Sequence, residues 1–208
     1  MKTLSLTVFS LLLLSGFAQE ASAYSKAAAC TYTADPKDIQ LVWTAFKFTT
    51  KAGVKGHFNK AQVSGAPSAK SLAGLMQNLQ MEIDAASVDT DNPGRNATIQ
   101  QFFFEKFAPA SKIHAATSKV VGDDAKGTAT IKITMNGVTR AVPFAYTATP
   151  EGILEAKASI DLLNFKLQSA FDSIHEACKD KHTGPDGVSK TWTQVDLALT
   201  GKFKKECP

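Results

Sequence analysis

Residues 126–149 read KGTATIKITMNGVTRAVPFAYTAT. Before Asn136-Gly137, the apolar residues Ile131, Ile133 and Met135 alternate with Lys132 and Thr134. After it, Val142, Phe144 and Tyr146 share one face, with Arg140 at the near end of that face. A period of two is the signature of a strand with one dry and one wet side. Asn and Gly both tolerate positive φ, which a two-residue hairpin turn demands. The stretch therefore reads as a β-hairpin in an antiparallel sheet with one buried face.

The same alternation extends outward in both directions. Leu154, Ala156, Ala158, Ile160 and Leu162 alternate with Glu155, Lys157, Ser159 and Asp161. Val195, Leu197 and Leu199 alternate with Gln194, Asp196 and Ala198, and Leu79, Met81 and Ile83 with Gln80, Glu82 and Asp84. Gly53, Gly56, Gly65 with Pro67, Gly122-Asp123-Asp124 and Pro150-Glu151-Gly152 punctuate the pattern as turns. The spacing predicts strands at 39–50, 55–64, 74–85, 112–121, 126–136, 138–149, 152–166 and 191–205. Closing such a meander into a barrel removes its edges, and eight strands enclose a lumen that side chains fill or that holds one small ligand. The expectation is all-β: an eight-stranded antiparallel barrel with one or two short flanking helices. Asn92-Pro93 supplies a cap and a proline for the first of these, at 94–107 with Ile99, Phe102, Phe103 and Phe107. The second, 167–181, carries Leu167, Ala170, Phe171, Ile174, Ala177 and Cys178 at helical spacing.

The N-terminus reads as an export signal. Met1-Lys2 is followed by an apolar run from Leu4 to Phe17 and by Ala21-Ser22-Ala23, a small-x-small cleavage pattern. Cleavage after Ala23 is expected, leaving 24–208 as one domain without a lipid-anchoring Cys behind the run. No other stretch approaches the roughly 20 apolar residues of a membrane span, so stable membrane insertion is not expected. The net charge of +4 is scattered, and the Phe residues sit in apolar alternation rather than in a basic stacking array. Both features argue against nucleic-acid binding. Three cysteines in an exported chain allow at most one internal disulfide. Barrel closure sets the start of the first strand beside the end of the last, which favours Cys30–Cys207 over the rival Cys178–Cys207.

The alternation also nominates a lumen-facing set: Trp43, Leu79, Met81, Ile83, Ile131, Ile133, Met135, Val142, Phe144, Tyr146, Leu154, Ile160, Leu162, Val195, Leu197 and Leu199. These residues either fill a dry core or line a pocket. Arg140 and Arg95 are placed to meet a polar headgroup at the mouth, or else to form ordinary ion pairs, Arg95 with Asp89 or Asp91. His175, Cys178 and His182 recur at i, i+3 and i+7, a spacing open to a metal, although Cys178 as a small apolar packer beside solvated histidines is the simpler reading. No G-x-S-x-G, H-E-x-x-H or Gly-rich phosphate loop is present. The sequence asks for no enzyme chemistry, metal or cofactor.

Ser87-Val88-Asp89-Thr90-Asp91-Asn92 with Arg95 and Phe102-Phe103-Phe104 resembles the central signature of the YceI family. So does Met135-Asn136-Gly137-Val138-Thr139-Arg140 its later hairpin. Val42-Trp43 with Gly53-Val54-Lys55-Gly56-His57-Phe58 resembles its first hairpin, and Ile160-Asp161-Leu162-Leu163 through Cys178, then Lys190-Thr191-Trp192, resembles one branch's C-terminal part. The resemblance implies a lipocalin-like barrel in the periplasm, often dimeric, binding a long-chain amphiphilic lipid such as a polyisoprenoid, the tail of an isoprenoid quinone or a fatty amide. It adds Phe102 and Phe103 to the candidate ligand contacts. Three positions depart from the family pattern: Asn96 follows Arg95 where Asp is usual, Thr98 stands for a His, and Asn136 for the hairpin His.

Overall fold

The hairpin forms as the sequence requires. Asn136 and Gly137 have φ of 50° and 70°, and Val138 pairs with Met135 directly across the turn. The computed structural model describes residues 30–65, 67–107 and 112–208; the expected leader and its cleavage point lie outside them. Along the chain come β1 (Thr31–Thr33), β2 (Gln40–Lys47), β3 (Ala52–Phe58), β4 (Ala61–Ser64), β5 (Ser68–Ala69), α1 (Leu72–Gln77), β6 (Gln80–Asp84), β7 (Val88–Asp89) and α2 (Pro93–Phe102). They are followed by β8 (Lys112–Gly122), β9 (Lys126–Met135), β10 (Val138–Ala148), β11 (Ile153–Asp161), α3 (Gln168–Ala177), β12 (Thr191–Lys202) and β13 (Lys204–Glu206).

The main sheet has ten strands rather than eight, in the order β4-β6-β8-β9-β10-β11-β12-β2-β3-β7. Every pairing is antiparallel. The extra strands have local causes. The stretch expected as one strand at 55–64 breaks at Asn59-Lys60, where the chain stops pairing with β2 and starts pairing with β6. Because β3 and β4 stand near opposite ends of the strand order yet are joined by two residues, the sheet must curl round on itself. Hydrogen bonds from Asn59 N to Ser87 O (2.9 Å) and from Asp84 N to Lys60 O (3.0 Å) fasten that seam, and β7 extends it along β3.

Three further boundaries move. The first half of the expected strand 74–85 is α1: the Ser71 hydroxyl accepts from Gly74 N, and Leu72, Leu75 and Met76 are buried at helical spacing. The strand expected at 152–166 ends at Asp161, whose carboxylate caps a 3-10 turn over Leu162–Phe165. The helix expected over 94–107 stops at Phe102, and a separate 3-10 turn covers Phe104–Lys106.

One end of the barrel is plugged. There α1 packs under the strands, and a three-stranded sheet ordered β13-β1-β5 covers the flank. Tyr32, 2% exposed, stacks near Phe203 at 6.0 Å and donates its hydroxyl to Asp124. Asp124 also accepts from Leu72 N and pairs with Lys205 at 3.3 Å. Cys30 and Cys207 are disulfide-bonded beside the β1–β13 pairing, while Cys178 is a free, buried thiol. Cross-linking residues 177 apart removes much unfolded-chain freedom. The double variant Cys30→Ser, Cys207→Ser is expected to lose about 2–5 kcal/mol in urea unfolding. An unchanged midpoint would mean that the plugged end holds together without the bond.

Candidate functional site

The inward faces of the strands do not meet. They surround a cavity of about 550 Å³, within the range of small-molecule sites. On the strand side its lining follows the pleat. Ile39, Leu41, Trp43, Ala45 and Lys47 succeed one another on the inner side of the first long strand. From Ile39 to Lys47 the pleat spans roughly 26 Å, eight steps at strand rise. The neighbouring β12 contributes Leu199, Leu197, Val195 and Thr191, paired with Leu41, Trp43, Ala45 and Lys47 respectively.

The rim, at the end opposite the plug, is made by helices. Asn92, Gly94, Arg95, Thr98 and Ile99 of α2 and its cap face Phe171, Ile174 and Cys178 of α3 and its cap, with Lys181 and His182 just beyond. Phe103, Phe104 and Phe107 form a mutually edge-on triad with ring separations of 5.1–5.4 Å. Phe104 meets Phe58 at 5.7 Å, and Phe58 meets Trp43 at 6.5 Å. Edge-to-face packing of this kind makes a rigid apolar wall. Trp43 is held by packing alone, since its buried Nε1 has no hydrogen-bond partner among the described residues. A Cβ at Gly56 would come within 2.2 Å of that indole, so only glycine lets the ring lie flat on the neighbouring strand.

Thirteen residues of the candidate set lie on the cavity wall: Trp43, Leu79, Met81, Ile83, Arg95, Phe103, Ile131, Ile133, Met135, Phe144, Ile160, Leu162 and Leu197, as do Val195 and Leu199. Five do not. Val142 and Tyr146 are buried on the correct face of β10 but outside the cavity, the Tyr146 hydroxyl bonding Asp123 O at 2.7 Å toward the plug. Leu154 packs in a separate small hollow with Leu72, Leu75 and Phe203. Phe102 ends α2 pointing elsewhere, because the helix stops there and the following turn brings Phe104 inward instead. Arg140 lies exposed at the strand's end, where its Nε donates to Asn164 O at 2.9 Å; the mouth is on the far side of that turn.

The signature loop is structural at most of its positions. Thr90, 4% exposed, receives Arg95 Nε and Nη2 through its hydroxyl and carbonyl oxygens (2.8 and 2.7 Å) and gives its own N–H and hydroxyl to Asn96 Oδ1. Arg95 is thus tied to Thr90 rather than to Asp89 or Asp91. Asp89 accepts from Asn59, from the Asp91 N–H and from Asn96, bonds that hold its pKa down at about 2. Asn136 anchors the hairpin to the carbonyls of Phe165 and Lys166, both at 3.1 Å. Of the three departures from the family pattern, only Thr98 lines the cavity.

Sequence reasoning did not foresee the polar corner of the rim. Lys47 occupies an inward position of β2 opposite Thr191. The Thr191 hydroxyl engages Nδ1 of both His175 (2.9 Å) and His182 (2.7 Å). The two histidines are therefore organised around a threonine; among the described residues no group of three ligating side chains is gathered for a metal. Burial first, then the nearby Lys47, His175 and Lys181, push His182 down to about 4. Burial likewise raises the Cys178 thiol. The signal available was the recurrence of His175, Cys178 and His182 at i, i+3 and i+7, whose simpler reading is Cys178 packing beside solvated histidines; the structure instead bonds both histidines to Thr191.

The described residues thus form a curled antiparallel barrel, plugged at one end and enclosing an apolar cavity toward the other. The YceI-like domain model matches residues 32–201, and the chain belongs to that family. Among solved structures it is similar to a polyisoprenoid-binding domain from Saccharophagus degradans implicated in plant cell wall breakdown, with a TM-score of 0.58 at 16% identity, covering 85% of this chain and 98% of that one. It is also similar to BcnA of Burkholderia cenocepacia (TM-score 0.53, 19% identity, 82% and 99% covered). A third likeness is to a YCEI protein of Campylobacter jejuni (TM-score 0.50, 20% identity, 76% and 87% covered). At such identities the likeness speaks for the fold. Comparison with curated proteins returns no match.

His182 yields a prediction. Its folded pKa lies below the ordinary 6.5, so the unfolded chain binds more protons between the two values. Stability from this group is present above about 6.5 and is lost as pH falls toward 4. The thermal midpoint should drop between pH 7 and pH 5, and His182→Gln should shrink that drop. Asp89 acts only at lower pH. Equal drops in both proteins would contradict the assignment.

Proposed function

We propose that this protein is an exported, periplasmic binding protein that carries or sequesters a long-chain amphiphilic lipid, isoprenoid or similar, with the chain inside the barrel and the head at the helical rim. The observation that carries this reading is the largely apolar cavity of about 550 Å³ lined by the strands and by α2 and α3. A solidly packed barrel working through its outer surface has no use for such a space. Burying a hydrocarbon chain contributes about 0.8 kcal/mol per CH₂, so a wall of Ile, Leu, Phe and Met binds without needing many polar contacts.

The polyisoprenoid-binding domain that shares the fold supports the ligand class, and the leader-like Met1 to Ala23 supports export. An isoprenoid quinone is one candidate occupant. The wall is mostly hydrocarbon, burial raises the pKa of the Cys178 thiol, and such a surface suits binding.

Mass spectrometry of an organic extract of the purified protein, with native mass spectrometry of the intact protein, is expected to find one long-chain amphiphile per barrel. A protein that is empty and takes up no added long-chain lipid would overturn the reading. Ala115 lies on the wall at mid-strand in β8, and Ala115→Trp is expected to fill the lumen. It should cut lipid uptake about ten-fold or more while leaving the melting temperature unchanged or higher.

A further inference from the structure

Every charged side chain on the cavity wall is a cation. Lys47, Arg95 and Lys181 line it, and among the described residues no Asp or Glu does. The chain as a whole carries both signs, 23 Lys and Arg against 19 Asp and Glu, whereas the described lining carries one. Among the described residues none of the three forms an ion pair. Lys47 is the most telling. It continues the inward series Ile39, Leu41, Trp43, Ala45, where a strand bordering an apolar lumen ordinarily ends in an apolar residue or turns its charge outward. Its cross-strand partner Thr191 holds His182, and Lys181 adjoins that histidine. Two ammonium groups and an imidazole thus share one side of the mouth at the end of a hydrocarbon-lined shaft. The depressed pKa of His182 registers both lysines.

We propose that Lys47, Lys181, His182 and Thr191 form the subsite for an anionic headgroup, and that the occupant is a long-chain acid, a carboxylate or a phosphate ester. This rests on the carrier reading and specifies its ligand. A neutral quinone or alcohol of the same length fills the shaft but leaves the lysines without a counter-charge.

The test is calorimetric titration of the delipidated protein with matched pairs: oleate against oleyl alcohol, and geranylgeranyl monophosphate against geranylgeraniol. The acid of at least one pair is expected to bind about ten-fold or more tighter than its alcohol, and the pair with the larger ratio identifies the head. Lys47→Gln with Lys181→Gln should bring the acid-to-alcohol affinity ratio close to one. Acid and alcohol binding equally well to the unaltered protein would overturn the subsite while leaving the carrier reading intact. So would a preference that survives in the double variant. Binding of none of the four ligands would overturn the carrier reading itself, and the subsite with it.

Discussion

The passage of the chain through Asn59 and Lys60 is the constraint on which the rest depends. Those two residues carry one segment from the β2 side of the sheet to the β6 side, so the sheet has no choice but to close. Closure satisfies backbone groups that an open edge would expose, and it turns every second residue of the long strands inward. The interior of a closed sheet of this size is too wide for Ile, Leu and Met side chains to meet across it everywhere. The unfilled volume collects at the end away from α1.

From that follows a division of labour along the axis. At the plugged end α1, Tyr32, Phe203 and the Cys30–Cys207 bond supply cohesion, with Asp124 gathering a hydroxyl, an amide and an ammonium. At the other end the polypeptide spends its hydrogen bonds on fixing loops: Thr90 with Arg95 and Asn96, Asn136 with the 162–165 turn, Thr191 with two histidines. These loops fix the positions of α2 and α3 against the cavity. The hollow middle costs contacts that a packed core would have, a loss that fits a protein whose stability at one end is reinforced covalently.

Much of this was legible in the sequence. Alternation around Asn136-Gly137 and through 152–162 and 191–199 gave the strands and most of the wall, because a residue's face in a strand depends only on parity. Closure argued for the Cys30–Cys207 pairing. What escaped were places where parity stops governing direction. The strand expected at 74–85 takes in Leu75 and Met76, whose helical spacing with Leu72 belongs to α1 instead. Phe102 and Phe104 exchanged roles because a helix ended one residue before a 3-10 turn. Arg140 kept its parity yet left the wall at the strand's end. Lys47 kept its parity too and stayed on the wall, where sequence alone gives a lysine no reason to be.

The central claim is that a hydrocarbon chain occupies the shaft beside Trp43, and fluorescence quenching tests it directly. In Trp192→Phe protein, Trp43 is the sole remaining indole. Titration with a fatty acid brominated at mid-chain is predicted to quench Trp43 emission saturably at one equivalent. Emission that stays constant while the acid demonstrably binds would place the chain outside the barrel and contradict the account.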